Sequence, residues 1–240
     1  MNAFALAFYQ KMLKSPRGET ARQYLASRGL KEETIARFEL GYAPEAWDEL
    51  LKALRAKGIS QEIAHQCGLL VERQSGSGFY DRFRDRVIFP IRDVSTEVVG
   101  FGARIMGKGE PKYLNTPESA IFKKRKLLYN LHDAKNRIRN SGVAIVEGYM
   151  DVVSLSNAGY GEAVATLGTA LTEDHVRLLS RFTDRISLVF DGDSAGRSAM
   201  LRSAEAFMSN DVIPRVVLLP DNKDPDDIAR TEPGLWEDLL

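Results

Sequence analysis

The sequence predicts an α/β chain: an α+β first part, helical and then made of short strands, followed by a parallel sheet flanked by helices. Three observations predict this. Apolar residues recur at helical spacing from residue 2 to about 70. Strand-type residues interspersed with glycine follow, from about residue 79 to 105. From Gly142 onward, short apolar runs alternate with helical stretches, the pattern of parallel strands joined by crossover helices. The change of pattern divides the chain into 1–141 and 142–240.

In the first part, Phe4, Leu6, Phe8, Met12 and Leu13 give one helix face. Ala21, Tyr24, Leu25 and Leu30, then Ile35 and Phe38, continue it across Gly29 and Gly41. Trp47, Leu50, Leu51 and Leu54 repeat it as far as Gly58, and Ser60 is suited to cap the next helix. Residues 74–78, QSGSG, make a turn. Arg82, Arg84 and Arg86 then alternate with Phe83, Asp85 and Val87, so an extended chain places three guanidiniums on one face. That face is either a phosphate-binding stripe or a solvated strand face laced with Asp81, Asp85 and Asp93, and spacing favours neither. Residues 87–91 and 98–105 read as a hairpin across 93–96, with Gly100 and Gly102 marking close backbone approach. Lys112, Tyr113 and Asn115 lie in a Pro-bracketed loop. Lys123 to Lys126 are four consecutive cations beside Phe122, a composition suited to single-stranded nucleic acid, although a charge run is also the ordinary make-up of a solvated face.

In the second part, strands are predicted at 143–146, 163–167, 186–190 and 215–219. Helices are predicted to about Ala158, from an N-cap at Thr172 to about Arg181, and from Ser194 to about Met208. His65 reads as a packing or surface residue, His132 as a surface residue, and His175, beside Glu173 and Asp174, as part of an exposed helix face.

Three of these strands run straight into carboxylates. Glu147 and Asp151 follow the first, Asp191 and Asp193 the third, and Asp221, Asp224, Asp226 and Asp227 the last. A parallel sheet brings such ends to one edge, where open α/β sheets bind ligands. Converged carboxylates repel by roughly 4 kcal/mol per pair at ~4 Å and an effective dielectric near 20, so a cation must offset them. An all-oxygen set suits Mg²⁺ or Mn²⁺, and such ions serve phosphoryl transfer. An acidic helix start accounts equally well for Asp151 alone.

The wording VEGYMDVVSL, ATLGTALT, FDGDSAGRSA and LPDNKDPDD resembles the Toprim domain of bacterial primases of the DnaG type. YDRFRDRVIFPIRD, VVGFGARIMG and PKYLNTPES resemble the segment that precedes it there. The resemblance covers essentially the whole chain. It implies a Toprim domain at 142–240 and metal-dependent synthesis of short RNA primers from NTPs on single-stranded DNA. Glu147, Asp191 and Asp193 would be catalytic and hold Mg²⁺ or Mn²⁺, with Asp224 and Asp226 as further ligands and Glu147 either ligand or general base. It implies nucleotide and DNA contacts at Arg104, Lys112, Asn115 and Lys124, to which the residues themselves add Arg82, Arg84, Arg86 and Tyr113 as candidates. A replicative helicase is the family's further partner, through a C-terminal domain beyond this chain. No zinc module precedes residue 1 and only fourteen residues follow Asp226, so a fragment or truncated homologue is expected.

Bulk properties narrow the class. No apolar run reaches the ~20 residues of a membrane span, and a secretory leader is not evident, so a cytoplasmic protein with no membrane partner is expected. The single cysteine, Cys67, rules out an internal disulfide and a multi-cysteine zinc site. The zero net charge conceals a division. Through Val146 there are 25 Lys plus Arg against 16 Asp plus Glu, and from Glu147 onward 8 against 17. A basic surface for a polyanion beside an acidic metal-binding one fits this asymmetry, as do two halves that attract each other. A Toprim nuclease using the same acids and a non-catalytic nucleic-acid-binding module are the rival functions. A topoisomerase would need a nucleophilic Tyr in a separate domain.

Overall fold

The structure is a computed structural model that describes residues 1–240 except 75, 108, 193–195, 197, 200–202, 204, 205, 208, 209, 211 and 222. By packing the chain divides into two units, Met1–Arg92 with Glu97–Phe122, and Asp93–Thr96 with Lys123–Leu240.

The first unit begins with helices α1 (Asn2–Lys14), α2 (Glu19–Ser27) and α3 (Glu32–Arg37), then strand β1 (Gly41–Ala43) and helices α4 (Glu49–Ala56) and α5 (Gln61–Gln66). The expectation of helix throughout 2–70 is corrected at β1. It pairs antiparallel with β4 (Arg86–Arg92), Gly41 opposite Ile88. Three residues carry no periodic signal, and tertiary pairing with a distant strand decides their conformation. A methyl on Gly41 would lie 2.6 Å from Tyr9 Cβ, so α1 crosses the sheet where only glycine fits. Ser60 caps α5 as expected, accepting from Ile63 N at 3.3 Å.

β2 (Leu70–Glu72) and β3 (Phe79–Asp81) form a separate hairpin. β4 and β5 (Val98–Ile105) form the predicted longer one, turning at 93–96, and β6 (Tyr113–Asn115) completes a sheet of order β1-β4-β5-β6. Pro90 is tolerated within β4 because β1 pairs only with residues 86–88, so its missing N–H breaks no ladder bond on that side. Gly100 meets the expected close approach: a methyl there would sit 2.5 Å from the ring of Phe122. Tyr9 on α1 packs edge-to-face on Phe83 and Phe101, with Leu50, Leu54, Leu69 and Ile88 in the same core.

The second unit holds α6 (Leu131–Ala134), α7 (Ile138–Ser141), β7 (Val143–Val146), α8 (Tyr149–Asn157), β8 (Ala163–Ala165), α9 (Glu173–Leu179), β9 (Ile186–Phe190), β10 (Arg215–Leu218), α10 (Pro225–Thr231) and α11 (Pro233–Leu239). The predicted parallel sheet is present, in the order β10-β9-β7-β8. All four residues of β7 are buried, as a strand covered on both faces requires. Between β9 and β10, residues 196, 198, 199, 203, 206 and 207 are helical, whereas the predicted cap Ser194 lies outside the described residues. Leu128, Leu131, Ala134 and Ile138 join the core formed by Ile145, Val176, Leu179, Leu188 and Phe207, so residues 123–141 pack with this unit. No described helix is long and apolar enough to cross a membrane.

His175 departs from expectation. It is fully buried, because its ring Nδ1 accepts from Thr172 N at 3.2 Å while its own N–H donates to Thr172 Oγ1 at 3.3 Å, a reciprocal cap that turns the side chain inward.

Asp81 is a second buried polar group. From the end of β3 it accepts from Leu50 N at 2.7 Å and Leu51 N at 2.9 Å, so a carboxylate thirty residues away in sequence caps the start of α4. Burial pushes its carboxyl up to about 6 against the opposing effect of those two amides, with Asp48 and Glu49 adding to the rise. The native state therefore holds a proton to higher pH than the unfolded chain, whose value is about 3.9. Its contribution is fully present below that value and is lost as pH rises through about 6. Asp81→Asn should flatten the pH dependence of Tm between about 4 and 6. Asp81→Ala, which strips the acceptors from two buried amides, should cost about 2–4 kcal/mol in chemical denaturation.

Candidate active site

The strand order sets the site. The chain steps outward from β7 to β8, then returns to the other side of β7 to place β9 and β10, so the topological switch lies between β7 and β9. Ligands of open α/β sheets bind at the carboxyl ends of strands flanking such a switch. Glu147 follows the last residue of β7 and Asp191 the last residue of β9, with Val143 opposite Ile186 in register. Glu147 is exposed, and with Thr166, Gly168, Thr169, Leu188 and Phe190 it lines a cavity of about 370 Å³.

One close backbone approach holds the third acidic loop against the end of β9, and a second folds the loop after β9 back on Asp191. A methyl on Gly192 would lie 2.0 Å from the Pro220 carbonyl oxygen, and Gly192 N donates to Lys223 O at 3.1 Å. A methyl on Gly196 would lie 2.2 Å from the Asp191 carbonyl oxygen. The glycines of FDGDSAG are therefore required by packing, and Gly192 binds the end of β9 to the segment that leads into α10.

That segment, DPDD, reads first as a helix start. Asp224 is the N-cap, its Oδ1 accepting from Asp227 N at 2.7 Å; Pro225 takes the first helical position, and acids fill the first turn. Asp226 exceeds that logic. It is 1% exposed, accepts from Ser154 Oγ at 2.5 Å and has Arg230 Nε at 3.4 Å. Burying a carboxylate is costly unless it is hydrogen-bonded and paired, which these two contacts supply in part. Carboxylate oxygens of Asp224, Asp226 and Asp227 lie within 4.8 Å of one another, and among the described residues this is the acidic group that close.

Asp151, at the third helical position of α8, accepts from Gly148 N at 2.8 Å. Burial first, then the charges of Asp224, Asp191 and Asp226, raise its carboxyl well above the usual carboxylate range. Four acids from three loops thus share one field. Their mutual repulsion and all-oxygen donor set fit a divalent cation. Asp193, predicted as a ligand, lies outside the described residues. Ser154 was missed by the sequence reading. Its only signal is the i, i+3 spacing from Asp151, which puts both on the α8 face that meets α10.

The basic side chains of the first unit do not form the extended stripe. Residues 82–85 are not strand, and Asp85 has φ 48°, so the alternation in sequence does not become a common face. Arg82 Nε donates to Asn115 O at 3.4 Å. Arg86 is 6% exposed and donates to Pro111 O at 3.0 Å, with Ala103 O and Lys112 O at 3.4 and 3.5 Å; burial lowers its pKa. Arg84 lies over the ring of Trp47 at 4.2 Å and near that of Tyr80 at 5.2 Å. Trp47, assigned by the sequence to an apolar helix face, is 59% exposed and T-stacked with Tyr80 at 5.3 Å. On the sheet edge, Arg104 pairs with Tyr113 and Gly102 with Asn115, so Arg104, Tyr113 and Asn115 share one sheet face, while Lys112 precedes them in an exposed turn. Arg104 stacks on Tyr24 at 4.4 Å. Phe122 is fully buried against Gly100, which removes it as a ring for stacking on bases. In the second unit, Lys124 opens the basic turn Lys124–Lys126.

The family model described as DNA primase catalytic core, N-terminal domain, matches residues 8–135, and the one described as Toprim-like matches residues 144–229. The DNA primase of Deinococcus radiodurans is 46% identical over 243 residues, covering 100% of this chain and 42% of that protein. The RNA polymerase domain of Mycobacterium tuberculosis primase DnaG superposes with a TM-score of 0.91 at 37% identity, covering 100% of this chain and 81% of that one. A DnaG primase catalytic domain bound to ssDNA superposes with a TM-score of 0.87 at 43% identity, covering 96% and 75%. The chain spans about two-fifths of the length of the curated relatives it matches. With one family model across more than half its length and a second over its acidic sheet, this chain belongs to the DNA primase family, of whose catalytic core it carries the N-terminal domain and the Toprim-like domain.

Proposed function

We propose that this chain is the RNA-synthesising core of a DNA primase, joining nucleoside triphosphates into short primers on single-stranded DNA with Mg²⁺ or Mn²⁺. The observation that carries the proposal is the shared field of Asp151, Asp191, Asp224 and Asp226 at the carboxyl edge of the Toprim-like sheet. The 3′ hydroxyl of one nucleotide attacks the α-phosphorus of the next, and pyrophosphate leaves.

Asp191, Asp193, Asp224, Asp226 and Glu147 are the candidate cation-holding groups, and Ser154 fixes Asp226 among them. A divalent cation held there would neutralise charge on the attacking and leaving oxygens of an in-line displacement. Glu147, exposed beside the cavity at the β7/β9 switch, is assigned to the reacting nucleotide. Arg104, Lys112, Tyr113, Asn115 and Lys124 are assigned to nucleotide and template phosphates, and Arg82 and Arg84 to the template. The exposed Trp47 ring beneath Arg84 offers a stacking platform for unpaired bases. The solved relative with ssDNA supports the choice of template. Arg86, expected among these contacts, is better read as a packing residue.

Incubation with ssDNA, NTPs and Mg²⁺ or Mn²⁺ tests the function directly: RNA product supports it, whereas cleaved DNA would assign a nuclease. Glu147→Gln keeps shape and removes charge. It should leave Tm and ssDNA affinity near wild type and lower nucleotide addition by roughly 10²-fold or more, since a transition-state interaction is lost. Undiminished synthesis would exclude Glu147 from the chemistry.

Either cation should raise Tm, because it binds the folded state and not the unfolded chain. Asp224→Asn combined with Asp226→Asn should abolish that rise; a metal-dependent shift surviving in the double variant would locate the ion elsewhere. For the basic residues, Arg86→Ala should cost about 2–4 kcal/mol of stability, by leaving buried carbonyls without their donor. Lys112→Ala should leave Tm unchanged and instead weaken ssDNA binding with a shallower salt slope.

A further inference from the structure

The buried His175 has no part in the chemistry above, yet it is the centre of a clamp. Its Nδ1 accepts from Thr172 N, so Nε2 carries the proton and donates to Lys124 O at 2.8 Å. Thr172 Oγ1 donates to the next carbonyl, Arg125 O, at 2.8 Å, and Arg125 Nε donates to Asp174 Oδ2 at 3.1 Å. The first turn of α9 thereby holds two consecutive carbonyls of the basic turn Lys124–Lys126. Downstream, Tyr129 N donates to Ala165 O at 2.8 Å and Asn130 Nδ2 to Ala163 O at 3.0 Å, so the chain runs antiparallel along β8. That direction projects the basic turn past the carboxyl end of β8, at the same sheet edge as Glu147 and Asp191.

We propose that neutral His175 is a positioning residue, which fixes the backbone of the Lys124–Lys126 turn so that its cations meet the triphosphate of the incoming nucleotide. This rests on the assignment of Lys124 to nucleotide binding. A four-residue run of cations repels itself, and a 3₁₀ turn of three residues has little stability of its own. Pre-ordering it by fixed carbonyls removes an entropy cost that binding would otherwise carry.

Protonation undoes the clamp. A proton on Nδ1 would face the Thr172 N–H, donor against donor, and the cap and the hold on Lys124 would loosen together. The charged groups facing the ring are Asp174, which favours protonation, and Arg125, which opposes it, and these two are paired with each other. Burial outweighs the Lys124 and Leu127 carbonyls and Asp174, which favour the proton, and holds the ring's pKa below the usual histidine range. Acidification below the usual histidine range should thus weaken triphosphate binding, although added positive charge by itself would strengthen it.

Two substitutions separate the clamp from simple capping. His175→Gln carries an amide N–H where Nε2 lies, and His175→Asn an oxygen where Nδ1 lies. The full chain should be titrated with ATP in Mg²⁺, with Lys124→Ala as reference and Tm recorded for each variant. His175→Asn should raise Kd roughly tenfold, approaching Lys124→Ala, at near wild-type Tm, the scale of losing one hydrogen-bonded contact to a charged group. His175→Gln should bind closely to wild type and, unlike wild type, show no excess weakening on acidification below the usual histidine range beyond that of ATP's own titration. Wild-type affinity in His175→Asn, with Lys124→Ala impaired, would overturn the positioning role. An unimpaired Lys124→Ala would overturn the assignment beneath it. If both His175 variants unfold, the wild-type pH profile decides, and a profile that only follows ATP titration counts against the proposal.

Discussion

The acidic edge depends on one steric constraint, the seating of Gly192 against the Pro220 carbonyl. The two loops approach so closely that a single methyl would sit 2.0 Å from that oxygen. Four carboxylates repel one another, and an unconstrained loop would relax by swinging its acids into water. The Gly192 N–H bond to Lys223 O restrains the third loop, and the close packing of Gly196 on the Asp191 carbonyl restrains the second. The crowding shows in Asp151, whose carboxyl is raised first by burial and then by the charges of Asp224, Asp191 and Asp226.

The hydroxyl of Ser154 fits the same scheme. Asp226 is nearly inaccessible to solvent, and a buried carboxylate must be hydrogen-bonded or neutralised. Ser154 gives it a donor from α8, the helix that also carries Asp151, so a single rigid element sets the distance between two of the four acids. Binding groups placed on helices hold their geometry better than those on loops.

Basic residues separate by the same criterion of burial. Arg86 spends its donors on backbone carbonyls of its own sheet, whereas Arg84 spreads over the exposed ring of Trp47, and Lys112 stands in solvent. A guanidinium that satisfies the backbone has little left for phosphate. Arg84 also donates from Nη1 to Asp81 O at 2.5 Å, but its guanidinium plane lies on an exposed ring instead of inside the sheet. His175 extends the point: buried in the core, it reaches the basic turn through the one carbonyl it holds, that of Lys124.

The sequence by itself determined the class of the fold, the hairpin of β4 and β5, the parallel strands from β7 to β10 and the caps at Ser60 and Thr172. These rest on short-range periodicity and capping chemistry, which are local. It also determined which acids end which strands, because a strand and the residue after it are covalent neighbours. Only the tertiary structure decided that 41–43 is a strand, that Arg82, Arg84 and Arg86 have separate partners, that Phe122 and His175 are buried and that Asp81 caps α4. Each of these depends on a partner distant in sequence: Ile88 for Gly41, Trp47 for Arg84, Gly100 for Phe122, Lys124 for His175, Leu50 for Asp81. Burial and non-local hydrogen bonding are properties of where chain segments meet, and no window along the sequence contains both sides of such a meeting.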